Sequence, residues 1–241
     1  MMLWIAVAAA AFGGGVVHTI TGFGAGIVMM AILPHFLGMI KAPAISSVIC
    51  CGLSFALAWK NRTLLQWRMI VFPAVLYISA SIITISLLPY FNLRILGVLF
   101  GAFLIVLCCY YLFLANRFSI PNTVGVLAVC SAFSGVTAGL FGIGGPLMAI
   151  CFLMRTESRE SYTGNLQMLF VLTGLSSLIT RVVNGIFTLD MLPAALLGFL
   201  FINIGKLAGL QIAARINAEA LKKIIYLFVG VSGILALIEY L

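Results

Sequence analysis

Long apolar runs alternate with short polar breaks along the whole chain. The breaks fall at Lys41, 60–68, 89–94, 116–117, 155–160, around Arg181 and at 206–223. Most runs between them have the length of about 20 residues that an α-helix needs to cross a hydrocarbon core of about 30 Å. Polar residues do not recur at every second position, as they would in the strands of a membrane barrel. Because backbone groups in lipid must be paired within their own segment, the pattern predicts an all-α membrane protein.

Two of the runs, 1–40 and 119–154, are too long to be single helices. A continuous helix of about 35 residues would reach roughly 50 Å and overshoot the bilayer. Glycine clusters mark the expected interruptions, Gly22-Phe23-Gly24-Ala25-Gly26 in the first run and Gly142-Ile143-Gly144-Gly145-Pro146 in the second. Each half of the chain is therefore predicted to hold one glycine-interrupted helical pair and three further helices, about eight to ten membrane segments in all.

The composition agrees with this prediction. Hydrophobic residues make up 64% of the 241 residues and charged residues only 7%, and the mean hydropathy is +1.27. These values are far from those of a soluble domain. Residues 1–241 are predicted to form a single transmembrane domain. No Lys or Arg precedes Lys41, so the basic start of a signal peptide is missing and the first segment is expected to remain in the protein.

The positive charges predict a topology. The net charge of +8 is spread over single or paired residues between apolar runs, which is typical of orientation signals and disfavours a nucleic-acid partner. With the long runs interrupted, ten Lys and Arg residues fall on one side and three on the other; with single crossings the split is five to eight. The ten are Lys60, Arg62, Arg68, Arg117, Arg155, Arg159, Lys206, Arg215, Lys222 and Lys223, and the three are Lys41, Arg94 and Arg181. Cytoplasmic loops are enriched in these residues, so both termini are predicted to be periplasmic or extracellular.

The chain also repeats itself. A shift of 120 residues aligns Gly15-Val16 with Gly135-Val136, the two glycine clusters with each other, and Phe72-Pro73-Ala74 with Leu192-Pro193-Ala194. Such self-similarity indicates a duplication, with repeats at about 1–117 and 118–241. The first half is predicted to start outside and the second inside, so the two would have opposite orientations. Inverted repeats of this kind are common in secondary transporters.

The two glycine clusters are the best candidates for a binding site. A helix that starts after each cluster would direct unpaired N–H groups and a partial positive charge at a central cavity, an arrangement that suits an anion. Close helix packing is the alternative role for such glycines. Hydroxyl and amide side chains near the clusters could add donors. The predicted substrate-binding residues are Thr19, Thr21, Gly22, Phe23, Gly24, Ala25, Gly26, Ser46, Ser47, Gly142, Ile143, Gly144, Gly145, Pro146, Asn165 and Gln167.

The sequence allows two interpretations for several polar residues. Asn165 and Gln167 either contact the ligand or join helices by hydrogen bonds. His18, beside the first cluster, is either a proton-coupling residue or a structural histidine, and its counterpart in the second half is Ala138. Lys206 is expected to reach the cytoplasmic surface. The six cysteines lie in apolar runs without a CxxC pair or a nearby histidine, so no metal site and no cofactor are predicted.

These features bear differently on three classes of function. A secondary transporter of a small anion, with lipid around it and a proton as candidate coupling ion, is favoured by the repeat and the central clusters. No P-loop occurs, so nucleotide hydrolysis would not drive it. An anion channel could have the same repeat, the same glycine clusters and the same central cavity. An intramembrane enzyme is disfavoured because the five acidic residues lie near predicted loops or helix ends and no HExxH motif occurs. The oligomeric state, the direction of transport and the anion are left open.

The paired glycine clusters in a short duplicated membrane chain resemble the TauE/SafE family, and the resemblance covers nearly the whole chain. It implies a transporter of small sulfur-containing anions, such as sulfite, sulfoacetate and taurine-like sulfonates, in a prokaryotic inner membrane. Two positions depart from the family pattern. Ala25 replaces a common glycine, and Asn165-Leu166-Gln167 replaces a pattern of small hydroxyl residues such as Ser46-Ser47.

Overall fold

The computed structural model describes residues 1–114, 123–213 and 218–241 of the chain. All of the regular secondary structure in these residues is helical. The predicted break at 116–117, the repeat boundary beside it and the loop around Arg215 lie outside the described residues. The fold class, an all-α membrane protein, is confirmed.

The described residues form ten α-helices, five in each half, and in both halves the second helix is the shortest and the third is the longest. The first half contains α1 Met2–Thr21, α2 Ala25–Ile32, α3 Pro34–Lys60, α4 Trp67–Leu87 and α5 Leu93–Cys109. The second half contains α6 Val124–Phe141, α7 Gly145–Leu153, α8 Arg159–Val183, α9 Leu192–Ala213 and α10 Ala218–Tyr240. In the described part of the chain, seven helical segments are long and apolar enough to cross a membrane. The short helices α2 and α7 are the second arms of the two interrupted runs.

Local chemistry explains where several helices begin and bend. The side chains of Asn92, Thr123 and Ser158 accept hydrogen bonds from backbone N–H groups in the first turns of α5, α6 and α8, which stabilises those helix starts. Within α3, Gly38 has non-helical angles (φ 74°, ψ 167°) and kinks the helix one turn after its start. The first half thus has a second bend close to its interrupted pair.

The first helix of each half packs against the fourth helix of the other half. A methyl group on Gly15 would overlap with the carbonyl oxygen of Ile202, so α1 and α9 touch through their backbones. The pair α6 and α4 is in the same kind of contact, at Gly135 and the carbonyl oxygen of Tyr77. Small residues allow such close approach between membrane helices. The halves are therefore interlocked rather than side by side.

The third helices of the two halves pack directly on each other, as do the fifth helices, and the members of each pair run in opposite directions. Cys51 of α3 lies against Gly174 of α8, and Asn61, directly after α3, lies against Gly164 of α8. In α5 and α10, Gly101 contacts Leu237 while Cys108 contacts Gly230. In both pairs the residue number rises along one helix as it falls along the other, so the helices are antiparallel.

Candidate functional site

The two glycine clusters end their helices with the same backbone geometry. Gly22 (φ 86°) follows α1 and Gly142 (φ 68°) follows α6, and both adopt the left-handed conformation that glycine reaches without strain. The N–H of Gly22 donates to the carbonyl of His18 at 2.7 Å, and that of Gly142 to the carbonyl of Ala138 at 2.8 Å. The predicted interruptions of the two long runs are confirmed at the predicted residues.

The two breaks lie against each other. A Cβ atom on Gly26 would be 3.1 Å from the carbonyl oxygen of Gly142, and one on Gly145 would be 3.1 Å from the Cβ of Phe23. Helix α2 starts at Ala25 and α7 at Gly145, directly beyond the breaks. The first N–H groups of both short helices have no acceptor within their own helix. Their partial positive charges therefore meet in one region of the protein.

A cavity of about 80 Å³ opens at this meeting point. The predicted site residues that line it are His18, Phe23, Gly26, Ser47, Gly142, Ile143, Gly144 and Gly145. No acidic side chain is among the described residues of the lining. Helix starts, hydroxyl groups and apolar surface without a carboxylate suit an anion better than a cation.

One face of α3 and one face of α8 complete the cavity wall, and neither face was predicted in full. The lining residues that sequence reasoning missed are Ile27, Cys50, Cys51, Ser54, Tyr77, Ala138, Phe170, Thr173, Gly174 and Ser177. Four of them on α8 recur at spacings of three and four, which is the period of a helix face. The signal that could have found this face is the pair Thr173 and Ser177 inside an apolar run.

Phe23 continues the cavity wall into an aromatic stack. Its ring lies 5.8 Å from that of Tyr111, centroid to centroid, and Tyr111 stacks parallel on Tyr226 at 4.2 Å. The Tyr111 hydroxyl also donates to the carbonyl of Pro146 at 3.4 Å. The stack connects the segment after α5 and helix α10 with the first break, and Tyr111 also contacts α7, so the position of Phe23 depends on elements from both halves.

His18 and Gln167 form a buried pair at the first break. The amide nitrogen of Gln167 donates to the carbonyl oxygen of Gly22 at 2.7 Å and lies 3.0 Å from Nε2 of His18. A backbone carbonyl can only accept, so the amide group must turn its nitrogen toward both atoms. Nε2 of His18 is then the acceptor and the ring proton lies on Nδ1. In the described residues this Nδ1 has no hydrogen-bond partner, so the cavity lining contains an unused neutral donor.

The structure places the remaining predicted residues away from the lining. Thr19 donates to the carbonyl of Gly15 at 2.8 Å and faces α9, and Ser46 is fully buried beside α3 neighbours. Thr21 donates to the carbonyl of Val17 at 3.0 Å and accepts from the N–H of Gly24 at 3.1 Å. Thr21 therefore shapes the first break rather than facing the cavity.

Asn165 is occupied by backbone contacts. Its side-chain oxygen accepts from the N–H of Gln66 at 2.6 Å, and its nitrogen lies 2.8 Å from the carbonyl of Ser161 and 3.2 Å from that of Leu64. The residue is fully buried. These bonds fasten the connection between α3 and α4 to α8. Ala25, also fully buried, packs on Gly14 of α1.

Arg181 is a buried cation that the sequence analysis counted among the loop charges. It lies inside α8, two residues before its end, and its side chain has no exposed surface. The neighbouring Asn184-Gly185 turn made the region resemble a loop in the sequence. Lys206 is half-buried on α9.

Comparison with known proteins identifies the family. The model of the family described as sulfite exporter TauE/SafE matches residues 7–236. The chain belongs to the TauE/SafE family. No curated protein and no solved structure matches this TauE/SafE chain. The matched region contains both glycine breaks and the whole cavity lining, so the site described above is part of the family's shared region. The family is one of multi-pass membrane transporters, in agreement with the seven apolar helices.

Proposed function

We propose that this TauE/SafE protein is a secondary transporter of small anions of the sulfur oxyanion or organosulfonate class, which bind where the two helix breaks meet. The observation that carries the proposal is the meeting of two helix N-termini and the Nδ1 donor of His18 at one cavity. Each helix start carries about half a positive charge. In a water-poor interior such dipoles act more strongly than in water.

The shape of the cavity wall suits a substrate with two unlike ends. Donors from the two breaks and Nδ1 of His18 could surround the oxygen atoms of a sulfite or sulfonate group. The hydroxyl groups of Ser47 and Thr173 already donate to the carbonyls of Ala44 and Leu169. Phe23, Ile143 and Phe170 form an apolar surface that could hold the carbon chain of an organosulfonate. Sulfur itself is proposed from the family match alone.

We further propose that the halves form an inverted repeat and work by alternating access. The antiparallel packing of α3 on α8 and of α5 on α10 supports an in-plane two-fold relation, because such an axis makes equivalent helices run in opposite directions. Rocking of one half against the other about a central site is the usual mechanism of such folds. The charge count supports external termini, since removing the buried Arg181 from the tally leaves ten positive charges against two.

Proton coupling through His18 is part of the same proposal. If Nε2 of His18 also carried a proton, it would face the amide nitrogen of Gln167. Both groups would then be hydrogen-bond donors and could not pair. The amide could accept that proton only by turning its oxygen toward His18, and this turn would end its hydrogen bond to Gly22. Protonation would therefore loosen the first break, and a gradient of protons could act on it.

The experiment that tests the proposal compares Gly144→Ala with wild type in proteoliposomes. A methyl group on Gly144 would overlap with the Tyr77 hydroxyl and lie 2.6 Å from the carbonyl oxygen of Ser134, so it should distort the cavity. We expect saturable uptake of labelled sulfite or sulfoacetate in the wild type and at least a tenfold loss in the variant. Gly125→Ala is the matched control, because nothing lies within 4 Å of a methyl group there.

The same preparation separates a carrier from the two alternatives. An anion channel would pass unitary currents under an anion gradient, whereas a carrier would show saturable exchange without them. An enzyme would alter the anion chemically, which chromatography of the recovered label would reveal. Absence of flux for every tested anion, with folded wild-type protein, would contradict the proposed function.

A further inference from the structure

We propose that Arg181 is the cation that balances the charge of the transported anion and sets the preference for substrates of higher negative charge. The inference rests on the proposed function and names a residue that selects among its substrates. Arg181 is the largest side chain in the described protein that has no exposed surface.

The guanidinium group is only partly satisfied. Nη2 donates to the carbonyl oxygens of Gly139 at 2.8 Å and Ala138 at 3.3 Å, and Nε donates to the hydroxyl of Ser177 at 3.4 Å. Nη1 is buried and has no partner among the described residues. One edge of this planar donor group is therefore unoccupied, and the paired donors of guanidinium match the paired oxygens of an oxyanion.

Arg181 also lacks a counterion among the residues that the structure describes. The ion pair there joins His35 to Glu239, and no carboxylate pairs with Arg181. A buried charge without an opposite charge is costly and is rarely kept without a purpose. The carbonyl groups in the last turn of α6 offset part of the positive charge. The remaining part is available to an anion.

The position of Arg181 links it to the cavity. Ala138 and Ser177, which it contacts, both line the cavity, so the guanidinium lies directly behind that wall. Thr173, Ser177 and Arg181 are spaced by four residues and share one face of α8. This polar face leads from the cavity toward the C-terminal end of α8. An anion that moves along it would pass from the helix starts to the guanidinium.

The first half offers no equivalent charge. The shift of 120 residues places Asn61 opposite Arg181, and the amide of Asn61 donates to the carbonyl of Leu57 in its own helix at 3.0 Å. The residue that the repeat aligns with Arg181 is therefore neutral and already hydrogen-bonded, so it supplies no matching charge.

The test measures charge preference rather than activity alone. Isethionate and taurine are nearly isosteric sulfonates, but isethionate is an anion and taurine is a zwitterion. Each is used to inhibit the uptake of labelled sulfite by proteoliposomes, and the ratio of their half-inhibitory concentrations reports the preference for net negative charge. Wild type, Arg181→Gln and Arg181→Lys are compared, with Lys41→Gln as a control that removes one exposed positive charge.

We expect the preference for isethionate over taurine to fall about tenfold in Arg181→Gln. Two charges roughly 10 Å apart in a protein interior interact with an energy that corresponds to such a change in affinity. Arg181→Lys and Lys41→Gln should keep the preference. If Arg181 only stabilised the end of α6, Arg181→Gln would lower the affinity for both sulfonates equally. An unchanged ratio of half-inhibitory concentrations in folded Arg181→Gln would therefore overturn the inference and leave the transport function intact. If Arg181→Gln does not fold, loss of the preference in Arg181→Lys would overturn it, and retention would support it. Wild type without sulfite uptake would overturn both proposals.

Discussion

Asn165 and Gln167 lie two residues apart on α8 and have different structural roles. Successive residues on an α-helix are separated by about 100°, so residues two apart face nearly opposite sides. Asn165 faces the connection between α3 and α4, and Gln167 faces His18 and the carbonyl of Gly22. The sequence showed that both are polar and lie in an apolar helix. Which of them faces the site depends on the rotation of α8 in the bundle, and that rotation is set by packing with distant segments.

A pair of variants separates these two roles. Gln167→Ala removes the hydrogen bond to Gly22 and frees His18, so we expect the KM for anion uptake to rise about tenfold. Asn165→Ala leaves three backbone groups without their partner and should lower the unfolding free energy by about 1–3 kcal/mol, with little change in KM for the folded fraction. Thermal unfolding in detergent and uptake kinetics measure both effects. A large KM change in Asn165→Ala alone would contradict the assignment.

At the scale of elements, the two interrupted helical pairs could be located from sequence because their cause is local. A run too long for the bilayer must break, and glycine permits the left-handed residue with which α1 and α6 end. The cavity faces of α3 and α8 have no such local cause. Cys50, Cys51 and Phe170 are ordinary residues of an apolar helix, and only their neighbours in space make them part of a wall.

The helix breaks can be tested by their backbone requirement. A residue with a Cβ atom in the left-handed conformation costs about 1–2 kcal/mol, so Gly22→Ala and Gly142→Ala should each lower the unfolding free energy by that amount. At Gly22 the nearest atom to an added methyl group is 3.5 Å away on Tyr162, so strain rather than a clash would be responsible.

Asparagine adopts this conformation more readily than alanine. Gly22→Asn should therefore unfold at a higher temperature than Gly22→Ala, and Gly125→Ala should not be destabilised. Equal melting temperatures for Gly22→Ala and wild type would show that the break does not require a left-handed residue.

On the scale of the whole molecule, α1 and α6 interlock the halves, while α3 and α8 cross at the cavity. Alternating access requires movement at that crossing. Cys51 of α3 faces Gly174 of α8, and a Cβ atom on Gly174 would lie 3.1 Å from that of Cys51. A shift of under about 1 Å would bring the two atoms to the separation of about 3.8 Å that a disulfide needs. The native chain thus contains one partner of a cross-link between the halves.

Gly174→Cys should form this disulfide with Cys51 under oxidising conditions. We expect uptake to stop after oxidation, because the crossing helices could no longer move apart, and to recover after reduction. The double variant Cys51→Ala/Gly174→Cys is the control and should be insensitive to oxidant. Full uptake by the oxidised, cross-linked protein would argue against relative movement of α3 and α8 during transport.

The unmatched residues of the two halves affect more than the binding of one anion. His18 corresponds to Ala138, and Arg181 to Asn61. In a strictly symmetric inverted repeat, the states open to either side of the membrane would have equal energy and would be equally populated at rest. Each mismatch adds an interaction to one state that the other cannot form. A difference of about 1.4 kcal/mol shifts such an equilibrium tenfold, so these two positions can set the side to which the empty protein opens.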